Sequence, residues 1–373
     1  MMNKLHFKQL LFTATFAVLA LTACRKDRLP PIAPQPSATT GIYVLCEGAF
    51  TETAGVNNSS ITYFDLSTSI PEKDYFKRQN GVELGTNAND LKQYGSKMYC
   101  VITGTKAANK DSYLEVMNIA TGKSLKRIPF SDGTAGFLPR YIAFHKGKAY
   151  ISGFDGYISK VDTASLSIEA RLKVGGAMEQ LDIVNNKLYV TNSAHFQFGT
   201  DNNSSVSVVD LNTFAKVKDI TVNVNPIKIA AMANGELFVV TKGNYGDILP
   251  TVDKLNSVTD TKTQSTAINL FALNITQGKG YGIVEGAWPA PNTLKVFNVA
   301  TGAVGSDFVT DQTPLVTPYA VTVNNLDNNV FVADANDYGT EGKMFCFSAD
   351  GKKRFVFATG GMPQSIVFKY SYK

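Results

Sequence analysis

From Gly41 onward, apolar and polar positions alternate in short runs rich in β-branched and aromatic residues. Gly, Asn, Asp and Pro separate the runs, the period is two, and no helical periodicity is sustained, which predicts strands throughout. Two kinds of run recur. The first closes a tight turn and carries a Tyr or Phe: Gly41-Ile-Tyr-Val-Leu45, Ser96-Lys-Met-Tyr-Cys100, Gly147-Lys-Ala-Tyr-Ile151, Asn186-Lys-Leu-Tyr-Val190, Gly235-Glu-Leu-Phe-Val239, Gly278-Lys-Gly-Tyr-Gly282 and Asn328-Asn-Val-Phe-Val332. The second follows each and ends in Asp, Asn or Ser: Ile61–Asp65, Leu114–Asn118, Ile158–Asp162, Val206–Asp210, Val252–Asn256, Leu294–Asn298 and Met344–Ser348.

Both sets number seven and recur about every 45 residues, the period of a β-propeller. One four-stranded blade cannot cover both its faces, so neighbouring blades must cover one another, and closure into a ring removes exposed edges. Strand A of each unit is often opened by Pro (Pro139, Pro226, Pro318), B carries the ring, C ends in the Asx or Ser, and D is short and often Lys-rich (Lys126–Ile128, Lys216–Ile220). The chain begins on a B-type run and finishes on an A-type one, Pro363–Phe368. The expectation is an all-β, seven-bladed propeller of four-stranded antiparallel blades over residues 41–369, its ring closed by the C-terminal strand joining the N-terminal blade.

Residues 1–24 read as an address. Lys4 and Lys8 precede an uncharged apolar stretch, Leu10 to Leu21, which is too short to span a core of roughly 30 Å but suits a signal peptide. Leu21-Thr22-Ala23-Cys24 resembles the bacterial lipobox, which implies lipidation of Cys24; an ordinary secretory site is the alternative. Each buried acyl CH₂ is worth about 0.8 kcal/mol. Residues 25–40, with Pro30, Pro31, Pro34 and Pro36, read as a semi-rigid tether.

Composition narrows function. Thirty-six Lys+Arg against 31 Asp+Glu give a net charge of only +5, with no basic stripe, so nucleic acid is not the expected partner. Three His in 373 residues leave little for metal or general-base chemistry, and no cofactor is expected. Gly278-x-Gly280-x-Gly282 has no helix after it and is no dinucleotide site. Asp334-Ala-Asn-Asp-Tyr-Gly339 opens like a calcium loop but lacks its closing bidentate acid. Cys46, Cys100 and Cys346 read as buried apolar residues, with a Cys46–Cys100 disulfide the other possibility.

Blade connectivity puts the A–B and C–D loops on one face and the B–C and D–A loops on the other. A–B turns are tight, whereas B–C loops are long and varied, so function is expected on the B–C face. Six of the seven B–C loops carry a ring: Phe50, Phe154, His195 with Phe196 and Phe198, Tyr245, Trp288 and Tyr338. The candidate ligand-binding set is Glu47, Asn57, Asn89, Arg140, Asp155, Asn192, His195, Phe196, Asn244, Tyr245, Glu285, Trp288, Asp334 and Tyr338. Such a cup suits a large, flat, partly polar ligand or a protein surface; alternatively the rings staple their own loops.

Lys187-Leu-Tyr-Val-Thr-Asn192 resembles the "YVTN" propeller repeat, and Asn225-Pro226 before strand A is common there. With Leu45-Cys-Glu-Gly48, Asn57-Asn58, Asn87-Ala-Asn-Asp90 and Thr241-Lys-Gly-Asn-Tyr-Gly246, the mature chain is similar to Bacteroidota propeller lipoproteins of the DUF5074/YncE-like kind. That group includes a surface protein that captures cobalamin for its TonB-dependent transporter. The scarcity of His and acidic clusters argues against an enzyme, and the resemblance implies a lipid-anchored outer-membrane protein, at the cell surface or on the periplasmic face. It implies a corrinoid as the first ligand to try and a TonB-dependent transporter as partner. A protein- or glycan-binding scaffold and a propeller enzyme are the other readings.

Overall fold

A computed structural model describes residues 35–195, 199, 203–287 and 290–373. Residues 38–371 make one compact unit. The other unit is described only at residues 35–37 and 372–373, where Gln35 and Lys373 exchange two backbone hydrogen bonds of 3.1 Å. Cys24, and with it the leader and most of the tether, lies outside the described residues.

Strands β1 (Pro36–Cys46) to β28 (Pro363–Tyr372) form seven four-stranded antiparallel sheets. Blade 1 has the order β28-β1-β2-β3, with β2 at Ser60–Asp65 and β3 at Ile70–Glu72; the other six each take four consecutive strands. The expected propeller and its closure by the C-terminal strand are therefore found. The strands reach further than expected, β1 starting at Pro36 and β28 ending at Tyr372, because backbone pairing continues where the Pro-rich composition predicted tether.

The repeat has a physical basis at each step. The B-strand rings Tyr43, Tyr99, Tyr150, Tyr189, Phe238, Tyr281 and Phe331 are all buried, each worth about 1.5–3 kcal/mol over exposure. Seven separate apolar clusters lie between successive blades, and the one joining Phe331, Cys346 and Phe357 of blade 7 to Val44, Phe64 and Phe368 of blade 1 closes the ring. The Asx that ends strand C is a turn device. In six blades its side-chain oxygen accepts the N–H groups two and three residues on, as in Asn118 with Ala120 (2.8 Å) and Thr121 (3.2 Å), and Asp210 with Asn212 (2.7 Å) and Thr213 (3.0 Å). This mimics a backbone turn and fixes the C–D hairpin. Across that hairpin one cross-strand position carries a polar pair in five successive blades: Glu115–Arg127, Ser159–Arg171, Ser207–Asp219, Asp253–Ser265 and Lys295–Asp307.

One element escaped the sequence reading. Helix α1 (Tyr75–Asn80) follows β3 and buries Tyr75 and Phe76, Tyr75 against Tyr43 and Tyr63 at 5.8 and 4.8 Å. No helix among the described residues is long and apolar enough to cross a membrane. Cys46, Cys100 and Cys346 are buried and free, so Cys46 and Cys100 are not paired.

Candidate functional site

The innermost strand of each blade is A-type: β4 (Ala88–Tyr94), β8 (Pro139–His145), β12 (Ala177–Val184), β16 (Pro226–Ala231), β20 (Leu270–Thr276), β24 (Pro318–Val323) and β28. Side chains tie neighbouring inner strands: Asp90 accepts the Ile142 N–H (3.1 Å), Gln180 that of Ile229 (3.0 Å) and Asp182 that of Ala231 (2.8 Å), while Asn89 donates to the Arg140 carbonyl (2.7 Å).

In β4, β8, β12, β16, β20 and β24 the pairing with strand B slips near the strand's start, between Ala88 and Asp90, Pro139 and Ile142, Met178 and Leu181, Pro226 and Lys228, Leu270 and Ala272, and Pro318 and Ala320. A bulge leaves a residue unpaired and re-aims its side chain. The bulged residues Asn89, Arg140, Tyr141, Glu179, Gln180, Ile227, Phe271 and Tyr319 all line one cavity of about 570 Å³, within the usual range for small-ligand sites. Lys92, Lys228, Asn274, Gln364 and, from the first B–C loop, Glu47, Gly48 and Phe50 complete the wall. The cavity thus lies at the B–C end of the inner strands.

Its electrostatics divide into closed pairs and unsatisfied groups. Arg140 forks onto Glu179 (Nε–Oε2 3.0 Å, Nη2–Oε1 3.3 Å) and lies 4.6 Å from the Phe154 ring centre. Burial works against its charge, but Glu179 and Tyr141 hold it firmly protonated. Lys92 donates to the Ile142 carbonyl (2.8 Å) and stands 3.6 Å from Asp90. Tyr319 donates to Glu47 and packs on Phe271 at 5.0 Å and Tyr338 at 6.0 Å. Burial raises the Glu47 carboxyl above its ordinary range, opposed by the Tyr319 hydrogen bond and the positive charges of Arg140 and Lys228. Lys228 has the Tyr141 hydroxyl at 3.4 Å and its ring at 5.5 Å. Burial opposes its charge too, yet Tyr141, Glu179 and Glu47 keep it protonated.

Of the expected site residues, Glu47, Asn89 and Arg140 meet in this cavity. Tyr245 and Tyr338 are exposed (82% and 44%), as is Phe50 at 66%. Asn57 and Asn244 are exposed, but their side chains bond within their own loops, Asn57 to Gly55 and Asn244 to Gly246, Asp247 and Ile248. The remaining polar candidates are held by the scaffold. Asn192, fully buried, donates to Ser205 and Ser207 (2.9 Å each); Asp334, 2% exposed, caps the N–H groups of Val316, Thr317 and Asn336; Asp155 pairs with Arg171, and Glu285 with Lys242. Asp334 and Asp337 spend carboxylate oxygens on the loop's own backbone, which accounts for the calcium-like spacing there. His195 stacks on buried Phe154 at 4.1 Å. Its imidazole pKa is lowered to about 4, chiefly by burial and then by Arg140. Phe196 and Trp288 lie outside the described residues. No cluster of three His, Cys, Asp or Glu that could hold a metal occurs among the described residues.

The sequence reading missed Tyr141, Glu179, Lys228, Phe271, Tyr319 and Gln364. A signal was present: Arg140, Tyr319 and Gln364 directly follow a strand-opening Pro, and Glu179-Gln180 breaks the apolar run that opens its innermost strand.

Fold and cavity together define a seven-bladed propeller with an open, mixed polar and aromatic pocket on its long-loop face. The model of the family described as Domain of unknown function (DUF5074) matches residues 40–277. The chain belongs to that family. No curated protein matches it. Among solved structures it is similar to a quinonprotein alcohol dehydrogenase-like protein from Bacteroides thetaiotaomicron, at 14% identity over 88% of this chain and 78% of that one, TM-score 0.63. It is also similar to Kuenenia stuttgartiensis hydrazine synthase (14%, 72% and 80%, TM-score 0.56) and to a dihydro-heme d1 dehydrogenase solved with its ligand (8%, 92% and 78%, TM-score 0.59). At these identities the likeness is one of fold.

Proposed function

We propose that this chain captures a small molecule at the mouth of its channel without turning it over. On this reading it is held to the outer membrane by a lipid on Cys24 and passes its ligand to a TonB-dependent transporter. The observation that carries the reading is the ring of bulged inner-strand residues opening as one cavity on the face that also bears the exposed rings Phe50, Tyr245 and Tyr338. A corrinoid is the first candidate: a side arm would enter the cavity, and the macrocycle would lie across those rings. Calorimetric and absorbance titration with cobalamin and cobinamide tests it, and no heat and no spectral shift at micromolar protein would remove the corrinoid. Cys24→Ser should release the protein from the membrane fraction; retention there would end the anchoring claim. The neighbouring exposed Ile248 and Leu249 favour, as a second reading, a scaffold whose same rim docks a protein or glycan.

A further inference from the structure

The cavity wall carries three cations, Arg140, Lys92 and Lys228, and three carboxylates, Glu179, Asp90 and Glu47, but only two of the cations stand at ion-pair distance from a carboxylate. Arg140 is matched by Glu179, and Lys92 by Asp90 and a carbonyl. Lys228 has no carboxylate within ion-pair distance among the described residues; its one hydrogen-bond partner there is the Tyr141 hydroxyl at 3.4 Å, a neutral group. An ammonium lining a recess beside the Tyr141 ring, with Glu179 and Glu47 acting on it only from beyond ion-pair distance, is poorly solvated, and such a charge is stabilised by an anion delivered to it. Two further groups in the same wall are unspent: the buried Oε1 of Gln364 and Oδ1 of Asn274 have no hydrogen-bond partner among the described residues. Both are acceptors, so they call for N–H or O–H donors on whatever fills the cavity. Phe271, packed on Tyr319, supplies a flat apolar wall.

We propose that Lys228 is the anchor for an anionic group of the ligand, a carboxylate or phosphate, whose apolar body lies against the Phe271–Tyr319 wall and whose donors meet Gln364 and Asn274. The site deepens the capture reading and rests on the cavity being where ligand binds; it does not require a corrinoid. Glu47, held by Tyr319 in the same wall, sets the selectivity, because its negative charge works against the incoming anion.

The test is calorimetry on the purified chain with benzoate, phenyl phosphate and uncharged benzamide. At least one anion should bind about 10-fold or more tighter than benzamide, the usual scale for a hydrogen bond to a charged group; the better of the two identifies carboxylate or phosphate. Lys228→Met should erase that preference while leaving benzamide unchanged, and Glu47→Gln, which keeps an acceptor for Tyr319, should tighten the anion several-fold. Equal binding of anion and amide, or an anion affinity untouched by Lys228→Met, overturns the proposal. Should Lys228→Met not fold by circular dichroism, the native anion-to-amide ratio and Glu47→Gln decide it. Cobalamin binding that survives Lys228→Met leaves capture standing and removes the anion anchor; anion binding without corrinoid binding leaves the anchor standing and removes the corrinoid.

Discussion

The Arg140–Glu179 pair is a direct probe of how the channel mouth is held together. The two side chains are 19% and 14% exposed and share two hydrogen bonds, at 3.0 and 3.3 Å. Removing one member of a fully buried pair costs about 3–5 kcal/mol, because the partner's charge is left uncompensated. Here roughly a sixth of each side chain still meets solvent and Lys228 remains nearby, so Arg140→Met or Glu179→Gln alone should cost about 2–3 kcal/mol. Arg140→Met with Glu179→Gln removes both charges, and the double variant should return to within about 1 kcal/mol of the parent. The assay is urea unfolding followed by circular dichroism and Tyr fluorescence, read as midpoints at unchanged slope. A coupling energy near zero, with the two single losses simply adding, would refute the claim that the pair acts as one closed unit.

Three further outcomes follow from the same geometry. Tyr189→Phe removes a buried 2.6 Å hydrogen bond to Asp260 and should cost about 1–3 kcal/mol; no loss in the same unfolding assay would count against the strand-B ring as a tie between blades. Burial pushes the thiols of Cys46 and Cys346 up to about 11 and 12, and Cys100 well above its usual range, so peptide mapping should find all three unlabelled by iodoacetamide at pH 8 until the chain is denatured; labelling in the folded state contradicts the packing. His195 stays neutral in the fold down to about pH 4. The unfolded chain binds a proton there from about pH 6.5 downward, so falling pH between those values should erode stability and pH above 6.5 should not alter it through this group. A nuclear magnetic resonance titration assigned with His195→Gln and showing a midpoint near 6.5 would remove the stacked, half-buried His195.

The blades were legible because each device is local and repeated: an alternating run, a buried ring at a fixed place, an Asx whose side chain closes the turn. Helix α1 was not, since six residues make under two turns and show no period, and the adjacent Tyr75 and Phe76 read equally well as strand. The cavity was half legible. Strict alternation assigns faces along a strand, but a slip of one residue exchanges them, and every bulge at the mouth is such a slip. Asn89, Arg140 and Tyr319 all sit at such slips, so alternation does not say which of them faces the cavity, and Lys228 directly follows the slip in its own strand. Asn192 and Asp334 do not line the cavity and are bonded within the scaffold instead. Polar residues at the ends of B strands resembled ligand contacts, but irregular loops carry backbone N–H groups that need acceptors, and Asp334 serves three of them.

The slipped registers at the mouth separate two tasks within one polypeptide. Hydrophobic matching between sheets is carried mostly by positions away from the cavity, and of the eight bulged side chains facing it only Ile227 and Phe271 pack against the apolar clusters between blades. A lineage can therefore rewrite most of those letters, one or two per sheet, and recast the chemistry of the mouth while the wheel beneath is inherited intact. For engineers the same separation makes the mouth a natural place to randomise.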